Sequence, residues 1–410
     1  MRRSALGLAG TALWGSGACS RRDGRPRRVI RRTLGRTGLQ VPVVSMGSVY
    51  AINLVRAALD RGITYIHTSS GYGERQHERM LGEIFRDRPR DGFVLGTSPD
   101  LPYRTVHRSG RSRDVGRGVD PQVIARSMEE SLRRLGLAHV DIYYLASVGS
   151  REAALHEPYL QAFSRLKAEG KTRWLGIATH ENEPAVIRAA IESGVWDVVL
   201  TAYNFRQTHR QEIGSAIREA AAAGLGVVAM KTQAGVYWDR RRLRKINMRA
   251  ALKWVLANES VHTTIPAFST FEEMEEDLSI MEDLDLSPGE REDLAWGVER
   301  GEPGNFCQQC GSCRRACPAG EDIPTLMRAH MYAFAHGRPA RSRPVLTRWS
   351  AAEVACAGCR TCEVACPLGL DVRTRALEIS RMLKETGPPM AAWRRQPGEG
   401  RVNPVPPTEV

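Results

Sequence analysis

One spacing of cysteines occurs twice in the last quarter of this 410-residue chain: Cys307, Cys310, Cys313 and Cys317-Pro318, then Cys356, Cys359, Cys362 and Cys366-Pro367. Both runs read Cys-x2-Cys-x2-Cys-x3-Cys-Pro. A disulfide framework scatters its cysteines and does not repeat one spacing, so these eight are metal ligands. A structural zinc needs four sulfurs, usually as two Cys-x2-Cys pairs, and leaves the third and fourth members of each run without a purpose. The count and spacing instead suit two [4Fe-4S] clusters, and in proteins with this spacing the fourth cysteine ligates the other cluster. One cluster is therefore expected on Cys307, Cys310, Cys313 and Cys366, the other on Cys356, Cys359, Cys362 and Cys317. The ninth cysteine, Cys19, stands apart in the N-terminal segment.

Upstream of the cysteines, short apolar runs rich in branched residues alternate with longer stretches of helical period, the pattern of parallel strands with crossover helices. Eight strands are expected: 41–46, 64–68, 93–97, 140–145, 173–177, 197–203, 226–230 and 263–266. In the segment 121–135, Ile124, Met128, Leu132 and Leu135 mark one helix face. Gly62, Gly170, Gly194 and Gly224 stand where left-handed helix caps precede the next strand. Eight such units over some 240 residues close a (β/α)8 TIM barrel, giving an α/β fold class. An open doubly wound sheet fits less well, because no Gly-x-Gly-x-x-Gly follows the first strand.

The expected organisation is a basic tail or export signal over 1–28, the barrel over 29–282, a polar helical linker over 283–304, a small and mostly helical two-cluster domain over 305–386, and a disordered tail over 387–410. No stretch reaches the roughly 20 apolar residues of a membrane span. Of the net charge of +13, residues 1–38 carry +9, leaving only +4 for the other 372. A basic arm on a balanced body does not make a nucleic-acid groove. Arg2-Arg3 and the mildly apolar run 4–18 instead have the form of a twin-arginine export signal, which would place the protein outside the cytoplasm; a frayed tail from a mis-set start codon is the plainer alternative. Ser16-Gly17-Ala18-Cys19 faintly resembles a lipoprotein cleavage site.

Arg32-Thr33-Leu34-Gly35-Arg36-Thr37-Gly38-Leu39, Gly62-Ile63-Thr64-Tyr65-Ile66-His67-Thr68 with Tyr72-Gly73, Ser131-Leu132-Arg133-Arg134-Leu135, Val140-Asp141-Ile142-Tyr143, Gly170-Lys171-Thr172-Arg173, Ala202-Tyr203-Asn204 and Ala229-Met230-Lys231-Thr232 resemble, in order, stretches of the aldo/keto reductase family. The branch resembled is the one that carries a C-terminal ferredoxin module. The resemblance implies a catalytic tetrad of Asp, Tyr, Lys and His, with the tyrosine as proton donor. Here the tyrosine matches Tyr72, while the other three positions hold His67, Ser98 and Ala146. Without its lysine, a tyrosine is a poor acid at neutral pH. His67 is then the candidate to hydrogen-bond Tyr72 and shuttle its proton.

The resemblance also implies NADP(H), bound by a Lys-Ser pair and an arginine that are here Ala267, Phe268 and Glu273. Glu273 would repel a phosphate, which disfavours NADP(H). The amide-binding Ser-Asn pair reads Ala178-Thr179, and His180 beside it is read as structural. The leading expectation is an exported iron-sulfur oxidoreductase that meets a one-electron redox partner and an unidentified small molecule. The alternatives are a pseudoenzyme scaffold with an electron-transfer module, and a conventional NADPH-dependent carbonyl reductase.

Overall fold

The computed structural model describes residues 29–101, 119–235, 245–299 and most of 307–386. The export signal and the C-terminal tail expected from sequence lie outside the described residues, as does Cys310. A hairpin, β1 (Arg31–Thr33) and β2 (Gln40–Pro42), precedes a seven-stranded parallel sheet. Its strands, in spatial and chain order, are β3 (Tyr65–His67), β4 (Val94–Thr97), β5 (Val140–Leu145), β6 (Thr172–Thr179), β7 (Val198–Ala202), β8 (Gly226–Met230) and β9 (Thr263–Thr264). The ring closes through the segment after β2. Val44 bridges Thr264 and Met46 bridges Ile66, both in parallel.

The strand expected at 41–46 is thus divided. Pro42 has no N–H to give a ladder. The chain ends its antiparallel pairing there and turns into the ring, with Ser45 N–H donating to Thr264 O and His67 N–H to Met46 O. The other seven expected strands lie where the apolar runs placed them.

Inside the ring, Tyr65, Ile142, Tyr144, Val198, Leu200, Val228 and Met230 form a packed core with Leu34 and Val41 of the hairpin. Leu34 plugs the N-terminal end: a methyl group on Gly226 would meet its Cγ at 2.6 Å. Alternate residues, such as Ile66, Tyr143 and Leu145, point outward and join the larger cluster beneath the helices, as a period of two requires.

The helix Pro121–Leu135 shows how sequence places these outer elements. Asp120 caps it by accepting the N–H of Gln122, proline occupies its first position, and Gly136 ends it at φ 67°. Its apolar stripe of Ile124, Met128, Leu132 and Leu135 is buried. The stretch read as a linker contains the helix Pro288–Glu299, whose Leu294 is buried against Phe205, Ala250 and Ala251. Its Glu290 pairs with the buried Lys253 at 3.1 Å.

The C-terminal module is mostly helical. The helix Ile323–His330 runs into one π-helical turn, Met331–Ala335, and packs against the helix Val372–Thr386. Cys313 and Cys356 are buried in its core among Leu326, Trp349, Val354 and Ile379, with Cys307, Cys317 and Cys366 at the edge. Among the described residues no helix is long and apolar enough to cross a membrane.

Candidate active site at the barrel mouth

His67, Ser98 and Ala146 all extend the inward-facing rows of β3, β4 and β5 at their C-terminal ends. The register pairs His67 with Gly96, and Ser70 N–H donates to Ser98 O. Tyr72 follows on a short 3-10 turn, with its N–H on Ser69 O. The residues carried over by resemblance therefore surround one mouth, at the end where barrel enzymes hold their chemistry.

Below them lies Tyr144, fully buried and hydrogen-bonded through its hydroxyl to that of Tyr65 at 2.7 Å. Its ring lies across the neighbouring strands, where only Gly96 and Gly176 leave room; a methyl group at Gly96 would meet it at 2.8 Å. His67 rests on this ring, with centroids 5.3 Å apart.

The hydrogen bond expected between His67 and Tyr72 is not formed. The two rings meet edge to face at 6.1 Å, because His67 is wedged against Tyr144 while Tyr72 belongs to the turn beyond Gly71. His67 is 5% exposed and its Nε2 has no hydrogen-bond partner among the described residues. Burial, reinforced by nearby His77, pushes the His67 pKa down to about 3. His67 is a neutral imidazole across the physiological range and is not a source of protons.

His77 is held as one tautomer. Its Nε2–H donates to Val49 O at 2.9 Å, so its Nδ1 accepts from the Thr68 hydroxyl at 2.7 Å. Behind the strands, the buried Glu78 accepts from Arg134 Nε at 2.7 Å and from the Thr97 hydroxyl at 2.8 Å. This pair braces β4 against its neighbouring helices and does not reach the mouth.

Where the family resemblance places the adenosine phosphate, Phe268 is buried in the outer core. Glu273 accepts the Ser269 N–H at 2.6 Å while its own N–H donates to the Thr270 hydroxyl. This cap spends on Glu273 the Ser269 N–H, a backbone donor that could otherwise meet an anion. Asp277 lies one turn on, fully buried, held by Gln233 at 2.7 Å and pushed well above the ordinary carboxylate range by burial and then by Glu276 and Glu273.

On the other side of the mouth, a hydrogen-bonded chain missed from sequence joins three successive loops. Buried Glu183 accepts from Gln207 Nε2 at 3.0 Å and binds His209 Nε2 at 2.9 Å. That bond raises the His209 pKa. Gln207 Oε1 takes the Asn204 N–H at 2.8 Å, and Asn204 Nδ2 donates to Lys231 O at 3.2 Å. Lys231, left-handed at φ 58°, ends β8 and donates its ammonium to the Tyr332 hydroxyl at 3.1 Å. Tyr332 belongs to the π-helical turn of the cysteine module, so the module is tied directly to the barrel mouth. In the sequence, Asn204 and Lys231 stand out only as members of the stretches Ala202-Tyr203-Asn204 and Ala229-Met230-Lys231-Thr232, with no role attached.

The cysteines fit the expected group. No disulfide joins the seven described ones. Cys356 is pushed up to about 11 by burial first, then by Glu321, Cys317, Cys362 and Cys359. Among the described residues no three His, Cys, Asp or Glu side chains close on a single ion; a multi-iron cluster spaces its thiolates more widely than one tetrahedral ion does.

Comparison with known proteins agrees with this architecture. The aldo/keto reductase family matches residues 35–251, and a 4Fe-4S dicluster domain matches 306–371. The chain belongs to the aldo/keto reductase family and is an oxidoreductase with an iron-sulfur domain at its C-terminal side. It is 25% identical to L-galactose dehydrogenase of Arabidopsis thaliana over 305 residues, covering 64% of this chain and 92% of that one. It is 26% identical to D-threo-aldose 1-dehydrogenase of a Pseudomonas species over 221 residues, covering 47% and 66%. An aldo-keto reductase of Bacillus halodurans in its holo form superimposes with a TM-score of 0.52 at 22% identity, covering 66% of this chain and 97% of that one, and shares the fold.

Proposed function

We propose that this protein is an exported oxidoreductase whose barrel mouth exchanges electrons with two [4Fe-4S] clusters and through them with an external one-electron carrier, in place of hydride exchange with NADP(H). The observation that carries this reading is the Lys231–Tyr332 hydrogen bond, which seats the cysteine module on the mouth. The clusters, when bound, store single electrons, so two of them match the two-electron change between a carbonyl and an alcohol. Cys307, Cys310, Cys313 and Cys366 would hold one, and Cys317, Cys356, Cys359 and Cys362 the other.

The chain's own residues set the rest. Tyr72 is the hydroxyl at the mouth that can hold or give a proton, and neutral His67 offers a nitrogen unpaired among the described residues to a polar group seated over Tyr144. The dehydrogenase relatives support a small hydroxyl- or carbonyl-bearing compound as the substrate class. The loss of a lysine at position 98 and the capping role of Glu273 support weak or absent NADPH chemistry. Arg2-Arg3 supports export.

The test is anaerobic. A reduced viologen should bleach the cluster absorbance, while excess NADPH should leave both that absorbance and its own fluorescence unchanged. Tight NADPH binding with aldehyde reduction in the ordinary range of roughly 1 to 10³ per second, abolished by Tyr72→Phe, would overturn the reading in favour of a conventional reductase.

A further inference from the structure

The two cysteine runs end alike: Cys317-Pro318-Ala319-Gly320-Glu321-Asp322-Ile323 and Cys366-Pro367-Leu368-Gly369-Leu370-Asp371-Val372. The structures repeat with the sequences. Gly320 and Gly369 are left-handed at φ 63° and 66°. Their N–H groups donate to Cys317 O at 3.1 Å and Cys366 O at 2.8 Å. Asp322 and Asp371 each accept a backbone N–H three residues on, from Thr325 and Thr374.

One position breaks the repeat. Leu370 is 5% exposed in the module core, as an apolar residue there should be, whereas its counterpart Glu321 is a carboxylate only 9% exposed. Burying a charge is costly unless it is fully hydrogen-bonded, and Glu321 is held from three sides. Oε1 accepts the Trp349 indole N–H at 2.9 Å and the Asp322 N–H at 3.2 Å, and Oε2 accepts the Ala355 N–H at 3.0 Å. Ala355 is the residue before Cys356, and Glu321 itself stands four residues after Cys317. The carboxylate therefore lies beside the set Cys317, Cys356, Cys359 and Cys362, and an apolar side chain fills the same place after Cys366.

We infer that Glu321 is a built-in electrostatic bias which makes the cluster on Cys317, Cys356, Cys359 and Cys362 harder to reduce than its partner, so that an arriving electron settles first on the other cluster. Reduction adds one negative charge and breaks no bond. A fixed carboxylate in a low-dielectric core opposes that charge. The inference rests on the two-cluster ligand assignment proposed above and on nothing in the barrel.

The experiment uses full-length, iron-loaded Glu321→Gln and Glu321→Leu proteins in an anaerobic potentiometric titration followed by electron paramagnetic resonance. The wild type should show two one-electron steps. Both variants should raise the lower step by at least tenfold in its reduced-to-oxidised ratio, about 59 mV for one electron, with the upper step unmoved. A smaller shift, or equal movement of both steps, overturns the inference. So does loss of iron from the Gln variant, whose one amide oxygen keeps an acceptor for either Trp349 or Ala355, because Glu321 would then be an anchor and not a bias. None of these outcomes bears on whether NADPH binds the barrel, which the preceding assay reads separately.

Discussion

Acidification should weaken the fold through His67. An ordinary imidazole titrates near 6.5, but His67 in the fold is held down to about 3. Between those two values the unfolded chain binds a proton that the folded chain refuses, so stability rises with pH through the window and is lost as pH falls from about 6.5 towards 3. The full shift corresponds to on the order of 5 kcal/mol, of which about 2 kcal/mol is already lost at pH 5. His77, held down to about 4 by burial, should lose a similar amount by pH 5.

The perturbation is His67→Asn, which leaves a polar side chain of similar reach that does not titrate. The assay is thermal unfolding of the barrel, followed by circular dichroism at pH 7.5 and pH 5 for both proteins, so that acid effects on the cluster module cancel in the difference. At about 2–4 °C per kcal/mol for a chain of this class, the wild type should lose ~4–8 °C more than the variant over that interval. Parallel losses, or a His67 imidazole resonance titrating near 6.5 in the folded protein, would refute the reasoning. They would also return His67 to the role of proton source.

Three further outcomes are expected. Anaerobically purified protein should carry about eight irons and eight acid-labile sulfides per chain, and Cys366→Ser should damage the cluster held mainly by Cys307, Cys310 and Cys313; damage confined to the other cluster would refute the crossed ligation. Replacing Arg2 and Arg3 by lysine should retain the protein in the cytoplasm, and cell fractionation that does not change would count against the export signal.

Where one residue's neighbours lie close in sequence or repeat with a fixed period, sequence was enough. The buried stripe of Pro121–Leu135, the positive φ of Gly62, Gly170, Gly194 and Gly224, and the seven strands of the sheet all follow from local pattern. The division of the first expected strand, 41–46, at Pro42 was legible in principle, since proline cannot serve a ladder on both sides. The site was legible by position and not by contact. That His67, Ser98 and Ala146 end adjacent strands follows from the alternation of the barrel. That His67 leans on Tyr144 and away from Tyr72 depends on two glycines, Gly96 and Gly176, that are 80 residues apart. Glu321 was passed over because a glutamate is read as surface by default; only comparison of the two cysteine runs residue by residue would have singled it out. Lys231 and Tyr332 are separated by 101 residues, and no periodicity links a strand end to a π-helical turn in another unit.

The Tyr144 ring, laid flat between Gly96 and Gly176, also bears on how this chamber can change over generations. The ring is a floor whose thickness is fixed by three residues on three strands. A larger residue at either glycine collides with the ring, and a smaller residue at 144 opens a void flanked by bare backbone and orphans the Tyr65 hydroxyl. Each single step is a loss, so the depth of the chamber is locked against gradual mutation, while the loops around its rim remain free to vary. New specificities in this lineage should therefore arise by remodelling the walls above His67, with the Gly-Tyr-Gly floor inherited unchanged.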